Sequence, residues 1–137
     1  MQVIVSMTTW SKRISQCKAT VDSILSQTRK PDSFEMNLDY DNFPNGFDDI
    51  PVWMCEYAAK YNNFHVNFRL HDLKVWQKIM PTIWNLNNNF KDTIIVTIDC
   101  DVTYPETYLA EVEANLTGYD WLCTKSNTYT MRTILRL

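Results

Sequence analysis

Glycine is scarce in this chain of 137 residues, where only Gly46 and Gly118 occur. A dinucleotide-binding turn needs three closely spaced glycines, and a phosphate-binding P-loop needs two followed by a lysine. Neither motif can be present. Any nucleotide that binds here must therefore have its phosphates held by something other than a glycine-rich loop.

Long runs of positive charge are missing as well. The longest are the pairs Lys12-Arg13 and Arg29-Lys30, the formal net charge is -3 and the pI is about 5.3. Proteins that bind nucleic acid normally carry a basic patch that neutralises phosphates. We therefore expect no nucleic-acid partner.

The sequence also lacks zinc motifs and membrane segments. The four cysteines contain no C-x-x-C pair, and the two histidines, His65 and His71, stand apart from them, so no zinc site is predicted. The first residues, MQVIVSMTTW, lack the features of a signal peptide, and no run of about 18 apolar residues predicts a transmembrane segment. We expect a cytoplasmic protein with reduced thiols, free or at the inner face of a membrane.

What the chain does contain is an alternation of strand and helix patterns. Residues 93–98 (TIIVTI) are β-branched throughout, which fits a buried strand. A shorter apolar run at 2–6 and alternating apolar residues at 34–38 predict two more strands, and apolar residues over 14–28 recur at helical spacing between them. Strict alternation over 64–70 predicts a strand at the edge of the sheet.

This alternation predicts an α/β fold: a three-layer α/β/α sandwich around a mostly parallel sheet. Its length and its 45% hydrophobic content suit one domain over residues 1–137. Residues 120–124 predict a fifth strand. Helical spacing in HDLKVWQKIMPTIWNL is interrupted by Pro81, so the helix should start afresh or kink there, with Lys78 close to a new helix N-terminus.

Tryptophans on apolar helical faces are expected in the core. These are Trp53, Trp76 and Trp84. Trp10 instead lies in a loop on the predicted ligand side, so it is the tryptophan that we consider for stacking on a ligand.

Two carboxylates, Asp99 and Asp101, follow the 93–98 strand. In an extended chain they point to one side while Cys100 points to the other. Such a pair of oxygen donors suits Mg²⁺ or Mn²⁺, which completes its coordination with water and substrate phosphates. The same acids also fit the start of a loop, or a cap for the helix that Pro105 opens.

Ligands of parallel α/β sheets collect outside the carboxyl ends of the strands. The loops expected at those ends are residues 7–13, 39–41 and 99–103, and all three carry polar or charged side chains. We therefore place the candidate site there.

Four segments resemble the nucleotide-sugar-binding half of family 2 type glycosyltransferases, which have the GT-A fold. They are VSMTTWSKRI, SILSQTRKPD, KVWQKIMP and IVTIDCDVTYPETYL, and they occur in the family's order between residues 3 and 109. The resemblance implies a GT-A-type sandwich in an enzyme that uses a nucleoside-diphosphate sugar as donor. It leaves the acceptor open among glycans, lipids and proteins.

The resemblance also implies roles for residues that would bind the nucleotide. Thr8, Thr9 and Arg13 in the first loop, together with Asp39 after the second strand, would contact the base and ribose. Lys78 corresponds to the basic residue that approaches the diphosphate.

The two acids after the 93–98 strand would complete the donor site. Asp99 would hold the ribose or a metal-bound water, and Asp101 would bind Mn²⁺ or Mg²⁺, so both are predicted at the metal. That cation would stabilise the charge that develops on the diphosphate.

The family's catalytic carboxylate lies well downstream of these acids, whereas this chain ends 36 residues after Asp101. We therefore expect a donor-binding half that is C-terminally short relative to a full enzyme, without a recognisable catalytic base. The remaining acids are expected on helix or loop surfaces: Glu106, Glu111, Glu113 and Asp120.

Two other functions fit parts of the sequence. IDCDVTY also matches the D-x-D-x-T signature of haloacid-dehalogenase-like phosphotransferases, with Asp99 as nucleophile, although those enzymes carry it on an early strand and here 98 residues precede it. The other alternative is a non-catalytic sugar-binding or assembly module that uses its aromatic side chains.

Overall fold

The computed structural model describes residues 1–90 and 92–116 with their side chains, and the backbone of residues 121–125 and 131–136. The strands are β1 Gln2–Met7, β2 Ser33–Asp39, β3 Phe64–Arg69, β4 Thr93–Thr97, β5 Trp121–Lys125 and β6 Met131–Arg136. The helices are α1 Cys17–Leu25, α2 Val52–Lys60, α3 Met80–Asn85 and α4 Tyr108–Asn115. Short 3-10 turns occur at Ile14–Gln16, Gly46–Asp49 and Lys74–Lys78.

The described strands form one sheet in the order β3-β2-β1-β4-β6-β5. The first four are parallel, whereas β6 runs antiparallel to both β4 and β5. The predictions of an α/β fold with a mostly parallel sheet and of β3 at its edge are confirmed. β5 matches the predicted fifth strand except for Asp120, which lies outside the described residues, and β6 was not predicted.

Helices cover both faces of the sheet. On one face α1, α2 and α4 contribute Val21, Met54 and Leu109 to an apolar cluster with strand residues such as Val5 and Val96. On the other face lies α3, where the hydroxyls of Thr82 and Ser6 are 2.6 Å apart. The three layers predicted from the sequence are therefore present.

The central strand β4 is shorter than its β-branched run. All five of its residues are buried, and the strand ends at Thr97. Cys100 and Asp101 lie in a turn, so Asp99 and Asp101 do not alternate along an extended chain as predicted. Their placement depends on the segment that follows β4.

Gln27, at the end of α1, fixes that following segment. Its buried side-chain amide donates to the carbonyls of Ser23 (2.9 Å) and Pro105 (2.6 Å), and its Oε1 accepts the backbone N–H of Leu109 (2.9 Å). Gln27, within the SILSQTRKPD segment, thus joins the end of α1 to the start of α4 and to Pro105, which follow the turn that carries Asp101.

We expect Asp32→Asn to lower stability by about 1 kcal/mol at neutral pH. Burial alone would raise the pKa of Asp32, but hydrogen bonds from the Val3 amide (2.7 Å) and Arg29 outweigh it and lower the pKa below 3.8. A depressed folded-state pKa stabilises the protein above the unfolded value, and this contribution is lost as the pH falls through the folded value.

Urea unfolding at about pH 7, 5 and 3 measures this effect. The difference between wild type and Asp32→Asn should be full at the two higher values and shrink towards pH 3. A difference that stays constant over the range would show that the charge on Asp32 does not stabilise the fold.

The prediction that Trp76 and Trp84 belong to the core is wrong. They are 62% and 49% exposed, whereas Trp53 packs partly buried against the core as expected. Trp76 lies in the Lys74–Lys78 turn, which winds more tightly than an α-helix, so residues at α-helical spacing do not share one face.

In the described part of the chain, no helix has the length and apolar character needed to cross a bilayer.

Candidate functional site

A cleft of about 580 Å³ opens at the carboxyl ends of β1, β2 and β4. It is the site expected for a parallel α/β sheet. Every predicted site residue lines it: Thr8, Thr9, Arg13, Asp39, Lys78, Asp99 and Asp101. The structure therefore brings together residues that are up to 93 positions apart in the sequence.

Asp99 forms the shortest ion pair among the described residues of the cleft. Its Oδ1 lies 2.5 Å from Nζ of Lys78, and the two side chains are only 12% and 27% exposed. Its Oδ2 is buried and has no hydrogen-bond partner among the described residues. One oxygen of this carboxylate is thus occupied by a cation and the other is left for a ligand.

Asp101 is more open than Asp99. Its side chain is 48% exposed, and its Oδ2 lies 3.6 Å from Nη1 of Arg13 in the first loop. An exposed pair at this distance contributes little to stability. The Asp101 carboxylate is therefore available to a ligand that enters the cleft.

The two carboxylates fit a Mg²⁺ or Mn²⁺ ion that takes most of its ligands from water and substrate. Asp99 offers the buried oxygen that has no partner within residues 1–90 and 92–116, and Asp101 offers an accessible one. Among residues 1–90 and 92–116, no three His, Cys, Asp or Glu side chains are close enough to hold a metal. A site here would therefore depend on phosphate or water oxygens, as magnesium sites commonly do.

Cys100 lies between the two acids, with its side chain turned towards α1. Its interaction with the Cys17 thiol lowers the pKa of Cys100, and the same contact raises the pKa of Cys17. The backbone carbonyl of Cys100 accepts a hydrogen bond from the Thr20 hydroxyl (3.0 Å). These contacts with α1 anchor the turn that carries Asp101.

Asp39, at the end of β2, is buried and already holds Asn42. The backbone N–H and the side-chain amide of Asn42 both donate to its Oδ1, at 2.8 and 2.9 Å. Asn42 itself lines the cleft. The pair therefore presents both an acceptor and a donor to a polar ligand.

The backbone of Lys78 is fixed by a buried polar network. The Ser6 hydroxyl donates to the Lys78 carbonyl at 2.6 Å. The amide of Asn37 in β2 donates to the hydroxyls of Ser6 (3.0 Å) and Thr82 (2.9 Å). Two central strands thus determine where the Lys78 side chain enters the cleft.

The structure adds cleft residues that the sequence analysis did not select. Asp72 and Lys74 follow β3; the Lys74 ammonium lies 2.9 Å from Asp72, and this hydrogen bond lowers the pKa of Asp72 and raises that of Lys74. Gln77 is buried and donates to the Leu38 carbonyl (2.8 Å). Applying the carboxyl-end rule to the edge strand as well would have identified Asp72 and Lys74.

Of the acids expected on helix or loop surfaces, the three that the structure describes lie outside this cleft. Glu106 is exposed, Glu111 accepts a hydrogen bond from Thr107 (2.6 Å) and Glu113 pairs with Arg29 (3.0 Å). None of the three lines the cleft, which agrees with the expected surface positions. Asp120 lies outside the described residues.

A scan against models of known protein families finds no match for the chain, and a search of curated proteins finds no relative. The functional argument therefore depends on the cleft itself.

Proposed function

We propose that this cleft binds a nucleoside-diphosphate sugar with Mn²⁺ or Mg²⁺, and that the chain is the donor-binding part of a glycosyltransferase with a GT-A-type fold. The observation that carries the proposal is the pairing at the end of β4. The buried Asp99 Oδ2 has no hydrogen-bond partner in the part of the chain that the structure describes, and Asp101 lines the same cleft.

The charges in the cleft match a diphosphate bound with a cation. Lys78, Arg13 and Lys74 can meet phosphate oxygens, while Asp99 and Asp101 hold the metal. A bound divalent ion would supply charge neutralisation to the diphosphate as the bond to the sugar breaks. This arrangement replaces the phosphate-binding glycine loop that the sequence lacks.

Other residues of the cleft suit the nucleoside. Asp39 and Asn42 present an acceptor and an amide, and Trp10, 44% exposed at the rim, offers a face for stacking. The Thr8 hydroxyl donates to the carbonyl of Asn37 (2.6 Å), so it holds the loop in place and can accept a bond from a ligand.

Thermal unfolding with UDP, GDP, CDP and dTDP, each with and without Mn²⁺, tests the proposal. At about 100 times Kd a ligand stabilises by about 2.7 kcal/mol, which raises Tm by about 8 °C in a domain of this size. We expect one or two nucleotides to do so with Mn²⁺ and not without it. Asp101→Asn should abolish the shift, whereas Glu56→Gln on the exposed surface of α2 should retain it.

Three outcomes would contradict the proposal. No nucleotide produces a shift, or Asp101→Asn responds like the wild type, or free sugars bind without nucleotide and metal. The last result would instead support a sugar-binding module.

A further inference from the structure

Two of the described cysteines meet at the wall of the cleft. Cys17 is the first residue of α1 and Cys100 lies in the turn after β4, and their thiols are in contact with each other and with the Thr9 side chain. Neither forms a disulfide in this structure. Cys17 is fully buried, whereas Cys100 is 8% exposed and lines the cleft. One thiol of the pair is therefore reachable from the cleft, and the other contacts it from the core.

We propose that Cys17 and Cys100 are a site of reversible oxidation, where hydrogen peroxide that enters the cleft joins the two thiols in a disulfide. Hydrogen peroxide is small and uncharged, so a cleft of about 580 Å³ admits it. Two thiols in contact need to approach only to the S–S bond length of about 2.0 Å. The turn that carries Cys100 can shift by such a distance more readily than a strand inside the sheet.

The oxidation proceeds in two steps. The sulfur of Cys100 attacks one oxygen of the peroxide, so an S–O bond forms, the O–O bond breaks, and the second oxygen leaves as water with the thiol proton. The sulfur of Cys17 then attacks the sulfenic acid of Cys100, which forms the S–S bond and breaks the S–O bond. The hydroxyl group leaves as a second water with the proton of the Cys17 thiol. The two sulfurs together lose two electrons, and these reduce one peroxide to two waters.

The disulfide acts on both sides of the ion pair between Arg13 and Asp101, whose charged atoms lie 3.6 Å apart. The Cys17 thiol donates a hydrogen bond to the Arg13 carbonyl at 3.7 Å, and a disulfide has no proton left to donate. Asp101 directly follows Cys100, so a shift of Cys100 towards α1 moves the Asp101 carboxylate as well. We therefore expect oxidation to weaken donor binding, a consequence that rests on the proposed function, in which Asp101 holds the cation.

A purely structural role would explain less of this arrangement. A cysteine that only fills the core behaves as a small apolar side chain and needs neither a second thiol nor a path to solvent. Cys17 and Cys100 have both, whereas Cys55 lies on α2 and does not line the cleft. In a reducing compartment, a disulfide of this kind is typically transient and serves redox sensing or catalysis.

Disulfide mapping by mass spectrometry tests the proposal on the full chain. The reduced, folded protein is treated with a small excess of hydrogen peroxide, the remaining thiols are blocked, and the peptides are identified with and without dithiothreitol. We expect a pair of peptides joined through Cys17 and Cys100, which dithiothreitol separates. The control Cys55→Ser should give the same pair in similar yield. Cys17→Ser should stop at the sulfenic acid of Cys100, which dimedone labels.

Thermal unfolding with Mn²⁺ and nucleotide measures the consequence in the cleft. Each Tm is compared with that of the same protein in the same redox state without nucleotide. We expect the oxidised protein to lose most of the nucleotide-dependent shift of the reduced protein, and treatment with dithiothreitol, removed before Mn²⁺ is added, to restore it.

Several results would overturn the inference. Cys17 and Cys100 that stay reduced in the folded, peroxide-treated wild type would do so, and so would a disulfide formed mainly with Cys55 or Cys123. These two results come from the wild type, so they do not depend on whether Cys17→Ser folds. A disulfide between Cys17 and Cys100 that leaves the nucleotide shift unchanged would overturn its link to the cleft. No nucleotide shift in the reduced protein would contradict only the proposed function, because the mapping uses neither nucleotide nor metal.

Discussion

Lys78→Met is expected to destabilise the protein by about 3 kcal/mol. The substitution leaves the Asp99 carboxylate, 12% exposed, without the ammonium that now lies 2.5 Å from its Oδ1. Removing one partner of a buried ion pair costs more than the pair contributes, because the remaining charge keeps its desolvation penalty. Urea unfolding at neutral pH measures the loss.

The double variant Lys78→Met/Asp99→Asn should recover most of that stability, since no uncompensated charge remains. Lys60→Met is a matched control because Lys60 is exposed at the end of α2, and it should change stability by less than about 0.5 kcal/mol. Equal losses in Lys78→Met and Lys60→Met would show that the pair with Asp99 does not matter to the fold.

The same variants separate a metal ligand from a structural acid. If Asp99 binds a divalent cation, Mn²⁺ should stabilise Lys78→Met more than wild type, because the ion then replaces the missing ammonium. It should stabilise Lys78→Met/Asp99→Asn least. An equal effect of Mn²⁺ on all three proteins would exclude Asp99 as a ligand.

The architecture was predictable where the position of a strand in the sheet determines its pattern of apolar and polar side chains. A strand in the middle of a parallel sheet is buried on both faces, so the continuous run at β4 could be identified from β-branched residues alone. The alternating pattern at β3 identified an edge for the same reason. β6 was not predicted, because its place in the sheet depends on antiparallel pairing with β4, which is distant in sequence, as well as with the neighbouring β5.

The cleft was predictable from a general rule, whereas its detailed geometry was not. Parallel strands end at one edge of the sheet, so their polar loops meet there. The prediction that Asp99 and Asp101 alternate along an extended chain is wrong, because β4 ends at Thr97 and a turn carries Asp101. Contacts between Cys100 and α1, which sequence spacing does not reveal, set that turn.

The error at Trp76 has a different physical origin. A 3-10 turn has about 3 residues per turn and an α-helix about 3.6, so the same apolar spacing covers different faces. Pro81 located the break in the helical pattern, but no local signal shows that the preceding turn is 3-10. Trp76, which was predicted in the core, therefore lies on the surface.

Asn37→Leu is expected to lower stability by about 2–3 kcal/mol and to weaken nucleotide binding as well. Asn37 is fully buried, and its amide donates to the hydroxyls of Ser6 and Thr82. Leucine has a similar volume but removes both hydrogen bonds, each worth about 1 kcal/mol. Because Ser6 also donates to the Lys78 carbonyl, the change should displace Lys78 in the cleft.

A comparison with Val112→Ala tells a positioning role from general destabilisation. Val112 is buried in α4, does not line the cleft, and its truncation should cost about 2 kcal/mol. If the network positions Lys78, Asn37→Leu should raise the Kd of the nucleotide found by thermal unfolding about tenfold, which corresponds to about 1.4 kcal/mol of binding energy. Val112→Ala should leave that Kd unchanged. Equal Kd values in the two variants would mean that the Ser6-Asn37-Thr82 network stabilises the fold without orienting Lys78 towards a ligand.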